Sequence, residues 1–265
     1  MLVNLISEHL KCSIRATLLA GEKILEIYNS NQFEAELKND NSPLTKADKE
    51  SHNTIVEQLS KLGMPILSEE GVEIDYSIRK NWSKYWLIDP LDGTKEFTKK
   101  NGEFTVNIAL IENSIPVLGV VYAPVTKELY IAEKDFGSFK IESIEKFEEL
   151  SVKQTLNLSE SALPDEYTIV VSRSHLNKET IDFIDVKKQK FEKISTKQYG
   201  SSLKICKVAE GSAHCYPRLG PTMEWDTAAA HAVVKYSGKR LFKFNTNDEL
   251  AYNKESLLNP FFITE

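Results

Sequence analysis

Two aspartates, three residues apart, stand where an apolar run stops: Trp86-Leu87-Ile88-Asp89-Pro90-Leu91-Asp92-Gly93-Thr94-Lys95-Glu96-Phe97. Tyr85 to Ile88 reads as a buried strand. Pro90 fixes φ and removes a backbone donor, so neither strand nor helix is expected to continue through it. Gly93 allows a sharp reversal or a close approach of backbone to ligand. Thr94 can cap or open a helix through Phe97. Hard divalent cations take oxygen ligands, and helix N-termini favour phosphate. An isolated Asp-x-x-Asp more often marks a solvated loop. Here a rigid turn after a buried strand holds two like charges together, which calls for a positive charge between them.

Two further places offer carboxylates in the same setting. The strand Met64 to Leu67 ends in Ser68-Glu69-Glu70-Gly71, and Glu69 joins Asp89 if the two strand ends lie side by side. Asp226 lies in the first turn of a helix beginning at Trp225, where the macrodipole favours negative charge. Glu69, Asp89, Asp92 and Asp226 together make a site for two Mg²⁺ ions. Such a pair can hold both the attacking and the leaving oxygen of a phosphoryl transfer. The N–H groups of Gly93 and Thr94 can hold phosphate oxygens, and Thr94 with Asp48 can orient and deprotonate the attacking water. Taken singly, Asp48 reads as a helix cap, with Thr45, and Asp226 as a helix-start residue.

The elements that must position these groups follow from periodicity. An amphipathic helix is expected over 3–28, a loop over 29–43, a second helix to about Leu62 and a polar connector over 72–84. After a turn at Asn101-Gly102-Glu103 comes an antiparallel meander: 104–111, 115–123, 128–133 and 137–141. A charged, turn-rich stretch over 142–166 divides an N-terminal α+β part (1–160) carrying the metal site from a C-terminal α/β part (161–265) completing it. In the second part, strands are expected at 167–171, 191–195, 213–216, 239–242 and 261–263. Helices are expected from Lys178 to Val186, after Gly200-Ser201-Ser202, and from Trp225. Lys187 to Lys190 reads as a solvated turn, and Pro217 to Pro221 as a loop. Alternating strands and helices indicate layered α/β architecture.

Composition excludes several function classes. The chain has 265 residues, 41% hydrophobic and 27% charged, which suits a soluble globular protein. A net charge of −6 gives no general attraction to nucleic acid or anionic membrane. An anionic substrate must be drawn by local lysines or by metal. Cys12, Cys206 and Cys215 form no C-x-x-C and suggest reduced thiols in a cytosolic protein. No apolar run approaches a membrane span, and Glu8, Lys11 and Arg15 argue against a signal peptide.

Asp89-Pro90-Leu91-Asp92-Gly93-Thr94, Glu69-Glu70 and Trp225-Asp226-Thr227-Ala228-Ala229 resemble the three signatures of the inositol monophosphatase superfamily, whose members are Mg²⁺-dependent, lithium-sensitive phosphatases. The resemblance runs through nearly the whole chain. Gly93 to Phe97, Asn101 to Leu110, Ser172-Arg173-Ser174-His175 and Gly200 to Lys204 resemble the CysQ-type 3′(2′),5′-bisphosphate nucleotidases. Inositol monophosphatases usually carry Thr-Asn-Phe where this chain has Lys95-Glu96-Phe97. The resemblance implies a layered αβαβα sandwich of the inositol monophosphatase and fructose-1,6-bisphosphatase type. It implies one Mg²⁺ on Glu69, Asp89 and the Leu91 carbonyl, and a second on Asp89, Asp92 and Asp226. A third, weaker ion would touch Glu69, with Glu70 behind the ligands. Asp48 and Thr94 would activate the water. Ser172, His175, Gly200 and Lys204 would hold the nucleotide and its second phosphate. Without the resemblance, His175 reads as a helix-cap or surface histidine and Lys204 as a solvated helix lysine.

The implied reaction is hydrolysis of adenosine 3′,5′-bisphosphate to AMP and phosphate, extending to its sulfated relative, in sulfur assimilation. The alternatives are an inositol or sugar phosphatase of the same superfamily, or a non-catalytic nucleotide-binding regulator. The expected protein is a cytoplasmic monomer or homodimer, with peripheral contact to the inner membrane left open and no nucleic-acid partner.

Overall fold

The computed structural model describes residues 4–30, 35–37, 43–151, 153, 155–173 and 177–265. The first helix, α1, is Glu8–Ser30. It starts at Glu8 because Ser7 caps it: Ser7 Oγ accepts the Leu10 N–H at 3.1 Å. The expected loop over 29–43 instead contributes β1 (Ala35–Leu37), paired antiparallel with β2 (Pro43–Thr45). The Thr45 cap concerns a side chain outside the described set. Helix α2 (Lys46–Leu59) continues as a tighter turn to Leu62 and stops at Gly63, where φ is 69°. After β3 (Ile66–Ser68), the polar connector contains a short helix, α3 (Tyr76–Arg79), whose capping Asp75 accepts the Ser77 N–H.

The central strand β4 (Lys84–Asp92) corrects the expectation that Pro90 ends it. Its pairing with the next strand shifts register between Asp89 and Asp92. Proline is tolerated at such an irregularity because no ladder donor is needed there. Asp89 Oδ1 accepts the Leu91 N–H at 3.1 Å, and the Pro90 carbonyl accepts the Ser51 hydroxyl at 2.6 Å, which fixes the kink from both sides. Helix α4 (Thr94–Thr98) opens at Thr94, one of the two roles expected of it, and the capping position falls on Gly93, whose φ of 97° suits only glycine.

The meander is β5 (Thr105–Glu112), β6 (Ile115–Ala123), β7 (Glu128–Glu133) and β8 (Gly137–Ile141). A further edge strand, β9 (Thr155–Asn157), emerges from the charged stretch. The chain continues through β10 (Tyr167–Ser172), α5 (Lys178–Lys188), β11 (Ile194–Tyr199), α6 (Leu203–Ala209) and β12 (Tyr216–Arg218). It ends with α7 (Glu224–Tyr236), β13 (Leu241–Lys243) and β14 (Phe262–Thr264). Strand β11 begins later than expected because Phe191 is held elsewhere, stacked on the Tyr167 ring at 3.9 Å. At the expected 213–216 strand, Cys215 makes only an isolated bridge to Ile169, and regular pairing starts at Tyr216.

Strands β3 to β9 form one seven-stranded sheet in sequence order, parallel only between β3 and β4. Its residues alternate between two cores. Trp86, Ile88, Val106, Ile108 and Val120 face α1 and α2, whereas Tyr85, Leu87, Ala109, Ile111 and Val121 face α6 and α7. Beyond α6 and α7 lie β10 and β11, joined through Cys215 to β12, β14 and β13. Ile184 of α5 packs on Ile169 and Val171 at the outer side. The resulting order of helix and sheet layers is the αβαβα sandwich.

Gly119 on β6 lets α7 lie directly on the sheet: a Cβ there would sit 2.2 Å from the Ala229 carbonyl oxygen. Gly119→Ala is therefore expected to destabilise the protein by about 1–3 kcal/mol through overpacking. Urea denaturation tests this; a stability equal to that of the parent would refute the close packing of α7.

Candidate active site

Parallel pairing places the first two carboxylates together. Ser68 pairs with Ile88, so Glu69 and Asp89 leave the sheet side by side, and the Glu69 N–H donates to the Ile88 carbonyl. Helix α7 brings Asp226 from the adjoining layer. One oxygen from each of Glu69, Asp89 and Asp226 lies within 4.8 Å of the others. Three anionic hard oxygens at this spacing, one of them fully buried, suit a divalent cation such as Mg²⁺. Asp226 also accepts the Met223 N–H at 2.9 Å, so helix capping and site formation use the same side chain.

Burial and the neighbouring carboxylates raise the proton affinity of Asp89 and Asp226. Burial pushes the Asp89 carboxyl well above the usual range, and Glu69, Asp92, Asp226 and Asp48 add to the shift. Asp226 is pushed up to about 8 by burial and then by Asp92 and Glu69.

Asp92 is anchored differently. Its Oδ2 accepts the Ser201 hydroxyl and the Ser202 N–H, both at 2.6 Å, and Asn107 Nδ2 at 3.4 Å. Burial raises its pKa, while Lys204, the Ser201 hydroxyl and the Ser202 N–H oppose the rise. Lys204 Nζ donates to the Ser201 carbonyl at 2.5 Å. Burial brings the ammonium down to about 8, although Asp92 supports its charge.

A cavity of about 280 Å³ connects these groups. Glu69, Asp89, Asp226 and Thr94 line one part, and Ser172, Lys204 and Arg218 also border it. Leu91, Asp92 and Gly93 contribute to its wall. Asp48, Glu70 and Gly200 do not line it. Asp48 is buried in α2, close enough for its charge to act on Asp89. The Glu70 charge reaches His52. Gly200 turns its N–H to Glu103 Oε2 at 2.8 Å. His175 lies outside the described residues.

The structure adds groups that motif reading passed over. Ser201 and Ser202 sit inside the stretch quoted for its Gly200 and Lys204, yet they are the residues that hold Asp92. Arg218 falls in the segment read as a Pro-bracketed loop. It lines the cavity, donates from Nη2 to the Pro221 carbonyl at 2.7 Å, and has a buried Nε without a hydrogen-bond partner. An unmatched buried donor costs about 1–3 kcal/mol, which an anionic ligand would relieve. A cation among prolines was its only sequence signal.

Comparison with known proteins identifies the family. The model of the inositol monophosphatase family matches residues 5–260. The 3′(2′),5′-bisphosphate nucleotidase CysQ of Salmonella typhimurium is 43% identical over 92% of this chain and 94% of its own length. The corresponding Escherichia coli K12 protein is 42% identical over the same shares. The crystal structure of CysQ from Bacteroides thetaiotaomicron superposes with a TM-score of 0.87 at 46% identity, covering 96% of this chain and 95% of that one. An inositol monophosphatase from Thermotoga maritima superposes at 0.71 with 25% identity, covering 96% and 90%. The chain belongs to the inositol monophosphatase family.

The folded protein retains the Asp226 proton between the ordinary value of 3.8 and about 8, where the unfolded chain has released it. Metal-free stability should therefore fall as pH rises through this window. A divalent cation must displace that proton at low pH but not at high pH. Mg²⁺ is expected to raise the melting temperature more at pH 8 than at pH 5.5. An equal shift at both pH values would contradict cation binding at this cluster. Asp89→Asn should raise metal-free stability and remove most of the Mg²⁺ effect in the same assay.

Proposed function

We propose that this family member is a Mg²⁺-dependent 3′(2′),5′-bisphosphate nucleotidase, releasing the 3′-phosphate of adenosine 3′,5′-bisphosphate to leave AMP. The single observation carrying this reading is that one cavity joins a carboxylate cluster to cationic side chains, Lys204 and Arg218, in addition to Lys95 beside Thr94. A monophosphate needs only the first group, whereas a bisphosphate uses both. The CysQ names of the relatives at 42–43% identity point the same way. The sulfated relative of the substrate would fit the same charges, and the activity would serve sulfur assimilation.

In this proposal Glu69, Asp89 and the Leu91 carbonyl hold one cation, and Asp89, Asp92 and Asp226 another. A third site at Glu69 would be weaker. Bound Mg²⁺ would neutralise phosphate charge and steady the attacking and leaving oxygens. The backbone N–H groups of Gly93 and Thr94 orient the reacting phosphate. Thr94 and Asp48 orient the water and take its proton, with Glu70 supporting the ligands from behind. Lys204, Arg218 and Ser172 hold the second phosphate, and the family resemblance assigns His175 to nucleotide binding. Gly200 contributes through the turn it opens. We place the division of labour at about residue 160, with 1–160 carrying most of the metal ligands and 161–265 the second-phosphate groups. No helix among the described residues is long and apolar enough to cross a membrane.

Lys204→Ala and Arg218→Ala are each expected to lower kcat/KM for adenosine 3′,5′-bisphosphate about 10- to 100-fold, the scale of one charge-assisted hydrogen bond. Inositol 1-phosphate should lose far less. Equal losses on both substrates would overturn the nucleotide assignment. Asp89→Asn should abolish turnover of both. Millimolar lithium should slow Mg²⁺-supported phosphate release, and an unchanged rate would count against the family mechanism.

A further inference from the structure

Arg173 lies in the Ser172-Arg173-Ser174-His175 motif and Glu103 in the Asn101 to Leu110 stretch, yet neither has a part in the proposed chemistry. They meet across the molecule. Arg173 Nε donates to Glu103 Oε2 at 2.8 Å and Nη2 to Oε1 at 2.7 Å, a bidentate pair. Nη2 also reaches the Gln198 carbonyl at 3.1 Å. Arg173 immediately follows Ser172 at the end of β10, and Gln198 lies on the paired strand β11, so the guanidinium ties both strand ends to the turn before β5. Glu103 is the shared partner: its Oε2 also accepts the Gly200 N–H at 2.8 Å.

Packing fixes the same junction. A Cβ on Gly200 would lie 2.6 Å from the Glu103 carbonyl oxygen and 2.7 Å from Glu96 Cγ. Only glycine lets the 200–202 turn press so closely against the 101–103 turn. Directly beyond Gly200, Ser201 and Ser202 hold Asp92, and the Ser201 carbonyl receives Lys204. One carboxylate therefore holds two parts of the site by separate bonds. Its ion pair holds the Ser172 strand end. Its bond to Gly200 holds the turn that braces Asp92.

We propose that Glu103 and Arg173 form a positioning clamp that sets specificity for a second phosphate, with Glu103 additionally holding the turn that orients Asp92. The specificity part rests on the nucleotidase reading above; the bracing of Asp92 does not. Bidentate guanidinium–carboxylate geometry suits this task, because it fixes orientation as well as distance.

The two bonds can be separated by mutation. Arg173→Met removes the ion pair but leaves Glu103 to accept the Gly200 N–H. It is expected to raise KM for adenosine 3′,5′-bisphosphate about five- to tenfold, the scale of a partly exposed charged pair. Its kcat should stay within about twofold of the parent, and KM for inositol 1-phosphate should not change. Arg173→Lys should recover part of the loss. Glu103→Ala removes both bonds and should lower kcat for both substrates as well. Amide hydrogen exchange over 200–202 reads the clamp without turnover: protection should fall in Glu103→Ala and hold in Arg173→Met. An equal KM change for both substrates, or parental kinetics in Arg173→Met, would overturn the specificity role. Unchanged exchange in Glu103→Ala would overturn the bracing role. A parent enzyme that turns over inositol 1-phosphate but not the bisphosphate would refute the nucleotidase reading alone, because the exchange experiment would still decide the bracing.

Discussion

The structure depends on an electrostatic conflict at the ends of two parallel strands. Glu69 and Asp89 emerge together because Ser68 pairs with Ile88, and α7 adds Asp226 to the same few ångströms. Carboxylates at that spacing, with Asp89 fully buried, cannot all ionise cheaply without a counter-charge. The upward pKa shifts of Asp89 and Asp226 express that cost in the metal-free protein. A hard cation turns the same arrangement from a liability into a binding site. The rest of the fold maintains the conflict: Ser51 pins the Pro90 carbonyl, and Gly119 lets α7 approach closely enough to deliver Asp226.

The cavity also has a second, cationic character. Lys204 and Arg218 border it, and Lys204 retains partial support for its charge from Asp92. The 200–204 segment belongs to both chemistries. Its Ser201 hydroxyl and Ser202 N–H face Asp92, while Lys204, one turn onward, supplies positive charge. Anything that moves this turn therefore affects the metal-ligating carboxylates and the anion-binding groups together. A fold that builds one active site from two layers needs such a joint.

Much of this was legible in the sequence, for identifiable physical reasons. Short apolar, β-branched runs separated by turn residues marked the meander, and the apolar stripes marked α1 and α7. The strand-end carboxylates announced themselves because charge rarely follows so directly on a buried run. Other features were hidden because they arise only from tertiary contact. Pro90 stayed within β4 because the ladder shifts register there. Thr94 opens α4 as expected, but the capping position goes to Gly93 because the backbone takes a positive φ there. Strand β9 emerged from a charged stretch because pairing with β8 outweighed its composition. Ser202 holds Asp92 through a backbone N–H, which no residue type can advertise. Arg218 looked like a loop residue until the fold brought its loop to the cavity. The groups that recognise negative charge are long-range partners, and sequence spacing carries little information about them.

The most direct measurement is phosphate release by the unmodified protein from adenosine 3′,5′-bisphosphate and from inositol 1-phosphate, side by side, with and without Mg²⁺. Strong preference for the bisphosphate, present only with Mg²⁺, is the result expected when a carboxylate-held cation and a second-phosphate subsite share one cavity. Preference for inositol phosphate would contradict the role given to Lys204 and Arg218. Undiminished turnover after complete removal of divalent cations would contradict the role given to Glu69, Asp89 and Asp226.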